Sequence, residues 1–188
     1  MDIIKTGIPG LVIVKPRVFK DERGYFFESY HQNKLLKKGI KATFVQDNES
    51  KSKRGVLRGL HYQLAPYGQA KLIRVIAGAV YDVAVDIRKG SPTFGQWYGT
   101  EISAENKLQM FVPRGFAHGF AVISDTAILT YKCDNYYNAN SERGIYYMDK
   151  KLQIDWQMNV KDAVVSSKDK VLPAFEEAEM NFVFQNNQ

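Results

Sequence analysis

Four polar residues stand inside otherwise apolar, strand-like stretches of this chain, and each could move a proton or hold a charge. His61 lies in VLRGLHYQ (56–63), Lys71 directly precedes Leu72-Ile73, His118 lies in FVPRGFAHGF (111–120) and Tyr131 in AILTYK (127–132). An imidazole can take a proton or ligate a metal, an ammonium steadies a developing anion, and a phenol can donate a proton. Each also has a plainer reading: a hydrogen-bonded core histidine, a lysine snorkelling from a strand end, a tyrosine packed with its hydroxyl satisfied. Taken alone, His61 stays open between base, metal ligand and core filling.

Several familiar chemistries lack their motif. There is no Gly-x-Gly-x-x-Gly, Walker loop, Gly-x-Ser-x-Gly elbow, His-Glu-x-x-His or Cys-x-x-Cys pair, so nucleotide-cofactor folds and thiolate zinc sites have no local support. Pro113–His118 is similar to the second histidine motif of cupins. The matching upstream strand reads His61-Tyr62-Gln63, where a metal-binding cupin carries His-x-His. With His31 near a helix candidate, two of the three histidines remain, too few for a divalent transition metal. No metal and no cofactor are expected.

These groups need elements to position them. At 188 residues the chain fits one domain over 1–188, with a polar tail at 185–188 expected to be disordered. Hydrophobic residues make up 45%, charged residues 24% and aromatics 13%, an ordinary globular balance whose aromatic richness favours β structure or a stacking site. Cys133 is the single cysteine, which suits a reducing cytosol. Lys5, Gly7 and Pro9 interrupt the N-terminal stretch, and no apolar run approaches the ~18 residues of a membrane span. A cytoplasmic protein without membrane contact is expected. The net charge of +6 favours anionic ligands. KKGIK (37–41) and KSKR (51–54) form no long basic arm and lack interleaved aromatics, so they read as solvated surface rather than a nucleic-acid stripe.

Period-two alternation dominates. From Ile73 to Ile87 the odd positions are apolar or Tyr81, while Asp82 and Asp86 fall on the even face. Gly78 divides this run, which predicts a hairpin or bulged turn there. Further strands are predicted at Leu11–Val14, Tyr25–Tyr30, Leu108–Val112, Phe116–Ile123 and Thr126–Lys132, with prolines between. Helix is predicted at Gln32–Lys38, closed by Gly39, with a further helical turn near Ala174–Glu179. Many short strands imply an all-β sandwich or barrel of jelly-roll type.

GVLRGLHYQ (55–63), QAKLIRVIAGAVYDVAVDIRKGSPTFGQW (69–97), SAENKLQMFVPRGFAHGF (103–120) and YKCDNYY (131–137), with Ser166-Ser167-Lys168-Asp169 near the end, together resemble the dTDP-4-dehydrorhamnose 3,5-epimerase family. The resemblance covers nearly the whole chain. It implies a cupin-like jelly roll with a few short helices, without metal, working as a homodimer. The implied substrate is dTDP-4-dehydro-6-deoxy-D-glucose, on the cytosolic route to dTDP-L-rhamnose. Epimerisation beside a ketone needs a base, an acid across the ring and a cation or donor at the enolate oxygen, but no redox cofactor. The resemblance gives these roles to His61 as base, paired with Asp169, to Tyr131 as opposite-face donor and to Lys71 as the cation.

Substrate contacts implied in the same way fall on Arg23, Phe26 and Glu28, on Gln46 and Asn48, and on Arg58, His118, Glu142 and Lys168, with Tyr137 stacking on the thymine. Part of the first group would reach the neighbouring subunit's site. Two related readings stay open: an epimerase acting at a single carbon, and a non-catalytic jelly roll that binds a sugar nucleotide. Arg58 and His61 differ in strand parity, and Gly59 between them is expected to carry a bulge that turns both inward.

Overall fold

The period-two pattern resolves into two antiparallel sheets packed face to face in a jelly-roll sandwich. The computed structural model describes residues 1–185; of the predicted tail, 186–188 lie outside the described residues. The chain opens with β1 (Asp2–Lys5), β2 (Val12–Lys15), β3 (Val18–Asp21), β4 (Gly24–Phe27) and α1 (Gln32–Lys37). β5 (Gln46–Lys53), β6 (Leu57–Gln63), β7 (Lys71–Ala77), β8 (Ala79–Asp86) and β9 (Trp97–Ser103) follow. β10 (Gln109–Val112), β11 (Phe116–Val122), β12 (Thr126–Cys133) and β13 (Glu142–Gly144) complete the strands. One sheet runs β1-β2-β10-β7-β12-β5 and the other β13-β6-β11-β8-β9, while β3 and β4 form a separate hairpin.

The run from Ile73 to Ile87 is not the predicted hairpin. β7 and β8 belong to different sheets, and Gly78 is the corner between them, at φ +74°. A Cβ at Gly78 would collide with the Thr126 carbonyl, so the turn accepts glycine alone. Inward parity changes at this corner. Ile73 and Val75 face the inter-sheet core from β7, but Val80 and Ala84 do so from β8. The odd residues Val83, Val85 and Ile87 instead enter a second core on the outer face of the five-stranded sheet. That outer core is closed by the chain after β13, through Ile145, Trp156, Phe175 and Met180. Each such buried side chain contributes roughly 1.5–3 kcal/mol relative to exposure. Asp82 therefore points into the sandwich rather than to solvent, and it is 0% exposed.

α1 matches its prediction to one residue, with Leu35 buried beneath it and Gly39 at φ +91° after the cap. Ala174–Glu179 makes a single turn through hydrogen bonds from Glu177 and Ala178 to the Ala174 carbonyl, and does not extend to a helix. KSKR is only partly solvated surface. Lys51 and Lys53 are exposed, but Ser52 is buried because the segment belongs to the edge strand β5.

Candidate active site

The site lies between the sheets, and β6 supplies its first wall. In the β6–β11 ladder His61 pairs with His118 and Arg58 with Phe120, three residues on one strand against two on the other. That extra residue is the expected bulge. His118 pairs in turn with Ala84, and Phe120 with Asp82, on the inner face of the five-stranded sheet. Arg58 and His61 thus both face inward. The bulge depends on Gly59, at φ +124°, where a Cβ would lie 2.5 Å from the Gly119 Cα.

Two histidine–carboxylate pairs stand on this wall. His61 Nε2 meets Asp169 Oδ1 at 2.7 Å, leaving Nδ1 as the ring nitrogen outside the pair. Asp169 comes from a 3-10 turn at Asp169–Val171 and is buried; its Oδ2 accepts from the Gly59 N–H at 3.2 Å. Burial works against the Asp169 carboxylate, but the hydrogen bonds of His61, Gly59 and Ser166 outweigh it and hold its pKa below the usual value. His118 Nε2 lies 3.0 and 3.1 Å from the two oxygens of Asp82. Among the described residues no three or more His, Cys, Asp or Glu side chains are grouped to hold a metal ion.

The facing sheet supplies the second wall. Cys133 pairs with Lys71 and Tyr131 with Ile73 between β12 and β7, so Lys71 and Tyr131 share the inner face with Ile73. The Lys71 ammonium stands 5.7 Å from the centre of the Tyr131 ring. Burial draws the Lys71 pKa down, opposed by its neighbours Cys133, Asp82 and Glu142. Burial pushes the Tyr131 phenol up, so it holds its proton well past neutrality. Burial also raises the Cys133 thiol to about 11, which keeps it neutral.

β5 extends this wall with polar residues. Its inward positions are Gln46, Asn48, Ser50 and Ser52, alternating with exposed Asp47, Glu49 and Lys51. Gln46 Nε2 donates to Asn48 Oδ1 at 3.1 Å, Asn48 Nδ2 approaches Cys133 Sγ at 3.7 Å, and Arg58 Nε donates to Ser52 Oγ at 3.2 Å. At the rim, Glu142 Oε2 accepts from the Tyr137 hydroxyl and from Lys168 Nζ, both at 2.7 Å. Burial raises the Glu142 pKa, but Lys168 and Tyr137 reverse this and His61 adds to the lowering. The effects of Glu142 on Lys71 and Tyr131, and of His61 on Glu142, place all four in one electrostatic neighbourhood.

Most of the predicted residues therefore converge. His61, Asp169, Arg58 and His118 stand on one sheet's side, and Lys71, Tyr131, Gln46 and Asn48 on the other, with Tyr137, Glu142 and Lys168 at the rim. Arg23, Phe26 and Glu28 do not join them. Phe26 is 70% exposed, Arg23 is bonded to Asp21 beside it, and Glu28 pairs with Lys34 on α1. A cleft of about 380 Å³ lies mainly on the outer face of the six-stranded sheet, between Leu72, Arg74 and Thr130 and the Ser29-Tyr30 segment. It contains neither histidine–carboxylate pair, so it is not the candidate site. Sequence reasoning missed Asp82, Ser52 and Ser166 as partners of site residues, and β5 as an element. Its one usable signal was the polar position of Asp82 in an apolar run.

This arrangement can place a base and its carboxylate on one side of a bound ring, and a phenol and an ammonium on the other. The family model for dTDP-4-dehydrorhamnose 3,5-epimerase matches residues 5–177. The chain is 55% identical over 171 residues to the Shigella flexneri protein of that name, covering 90% of this chain and 93% of the other. A crystal structure of the Elizabethkingia anophelis enzyme of the same name superposes with a TM-score of 0.91 at 52% identity, over 94% and 97% of the two chains. A dTDP-6-deoxy-D-glucose-3,5-epimerase from Legionella pneumophila, solved in complex with dTDP-4-keto-L-rhamnose, gives 0.93 at 47% identity over 98% of both chains.

Proposed function

The chain belongs to the dTDP-4-dehydrorhamnose 3,5-epimerase family, and from that premise we propose that it inverts C3 and C5 of dTDP-4-dehydro-6-deoxy-D-glucose. The product is dTDP-4-dehydro-L-rhamnose, on the route to dTDP-L-rhamnose, and the reaction belongs to the cytosol. The observation that carries the residue roles is the His61–Asp169 pair on one sheet, with Lys71 and Tyr131 on the other.

His61 Nδ1 takes the proton from the carbon beside the C4 ketone; the C–H electron pair forms the enolate C=C bond, and the carbonyl π pair moves to the C4 oxygen. Asp169 stabilises the imidazolium that forms. The Lys71 ammonium steadies the enolate oxygen. Tyr131 then returns a proton from the opposite face; solvent takes up the proton held by His61 and gives one back to Tyr131, which resets both groups. Arg58, Gln46, Asn48 and His118 hold the sugar and diphosphate. Tyr137, tied to Glu142, gives a face for the thymine, with Lys168 beside it. The β3–β4 hairpin, with Arg23, Phe26 and Glu28, serves the site of a second copy in a homodimer.

Incubation with dTDP-4-dehydro-6-deoxy-D-glucose in deuterated water, followed by NMR of the sugar, tests the reaction. Deuterium should enter C3 and C5 with inversion at both, without added metal or nicotinamide. Exchange and inversion at one carbon alone would make this a single-centre epimerase. Turnover lost on exhaustive chelation and restored by one particular metal would overturn the cofactor-free mechanism.

A further inference from the structure

The loop that carries Tyr137 is held mainly by side-chain amides. Gln63 is 5% exposed, and its Nε2 donates to the carbonyls of Tyr67 at 2.7 Å and Tyr136 at 3.3 Å. Its Oε1 accepts from the Asn138 N–H at 2.7 Å. Gln46 Oε1 accepts from the N–H of Tyr137 itself at 3.0 Å. The backbone on both sides of Tyr137 is thus fixed by one buried amide from β6, and the residue between by a second from β5. Gln63 also pairs with Glu142 across the β6–β13 ladder, and Glu142 accepts from the Tyr137 hydroxyl.

An amide suits this position because it donates twice and accepts once here. A carboxylate would lack both donors. An apolar side chain would leave two carbonyls and an N–H without their partner. Gln63 also lies two residues beyond His61, on the same face of β6. The strand that carries the proposed base therefore also carries the anchor of the loop that would receive the nucleotide.

We infer that Gln63 is a positioning residue for nucleotide binding, holding Tyr137 as a preformed platform for the base of the sugar nucleotide. This rests on the reading of Tyr137 as the stacking residue. A platform already fixed needs no ordering when the ligand arrives. Tyr137 is 57% exposed, so its own packing does little to fix it. Freed from Gln63, the ring loses its stacking pose for part of the time. Affinity then falls by at most the worth of one base–aromatic stack, roughly 5- to 150-fold.

The test is a double-mutant cycle on the full chain, read by calorimetric titration with dTDP and by steady-state kinetics. Gln63→Leu should raise the dTDP Kd and the substrate KM by about 10- to 50-fold, with kcat held within about threefold. Added to Tyr137→Ala, it should weaken dTDP binding by less than about twofold more, because its effect passes through that ring. Should Gln63→Leu fail to fold, Gln63→Glu replaces it, keeping the acceptor and losing both donors, with the same expectation. A Tyr137→Ala variant with unchanged Kd would remove the stacking reading and this proposal together. If Tyr137→Ala weakens dTDP binding while the Gln63 variant leaves it unchanged, or the two losses simply add, the positioning role alone fails. A fall in kcat at constant KM would also overturn it.

Discussion

His61 and Tyr131 stand on opposite sheets, so losing one should not resemble losing the other. His61→Asn should abolish proton removal, and deuterium should then enter neither C3 nor C5. Tyr131→Phe keeps the base and the Lys71 ammonium, so exchange should survive better than inversion. Inverted product should fall by about 10²- to 10⁴-fold, the usual worth of a general acid. Equal losses of exchange and inversion, measured by NMR in deuterated water, would return Tyr131 to a positioning role. Lys71 offers a separate test. Lys71→Met should cost kcat about 10²-fold, the scale of one oxyanion donor. Its pKa lies below the ordinary 10.5, chiefly through burial, so the cation is present at low pH and lost as pH rises through that lowered value. The Tyr131 pKa is shifted upward from 10.0, chiefly by burial, which moves loss of the phenol proton to higher pH. The basic limb of the kcat–pH profile should therefore fall below the ordinary lysine range. Lys71→Arg should carry that limb to higher pH, and a limb that stays in place would detach it from Lys71.

The bulge in β6 turns Arg58 and His61 to the same inner face. Gly59→Ala would place a Cβ 2.5 Å from the Gly119 Cα and 2.9 Å from the His118 carbonyl oxygen, with neither backbone free to yield. The expected destabilisation is about 2–4 kcal/mol by urea unfolding, with activity lost beyond that because Arg58 and His61 cannot both stay inward. Unchanged stability would mean that the strand reaches this geometry without glycine. The bulge was legible in the sequence because two functional side chains of opposite parity flank a glycine. The corner at Gly78 was not, since the apolar alternation runs through it unbroken while the strand passes from one sheet to the other. β5 was silent for a different reason. Gln46–Lys53 is polar on both faces, and its inward polar face only makes sense opposite Arg58 and beside Tyr131. Asp82 showed only as a polar position and Gln63 not at all, because the partner of Asp82 lies 36 residues away at His118 and the Tyr137 loop held by Gln63 lies 73 to 75 away at Tyr136 and Asn138. The remaining site residues were readable only as long motifs in a fixed order.

At the scale of the whole molecule, the β3–β4 hairpin carries exposed Phe26, Tyr25 and Phe19, and its Arg23 is bonded to Asp21 of the same hairpin. If it completes the partner's site, inactive variants should rescue one another. A His61→Asn subunit paired with an Arg23→Ala subunit regenerates one intact site of the two. Random mixing after denaturation and refolding should then restore roughly a quarter of wild-type turnover. No recovery, with mixed dimers shown by native mass spectrometry, would place the hairpin outside the site. The His61–Asp169 pair has a further consequence, one of timing. Translation delivers the carboxylate 108 residues after the imidazole, a delay of roughly 5–20 s at ordinary ribosome speeds. Throughout that interval β6 is made but His61 lacks the carboxylate that orients its ring, so on the proposed roles a chain that stops before Asp169 carries the base without its partner.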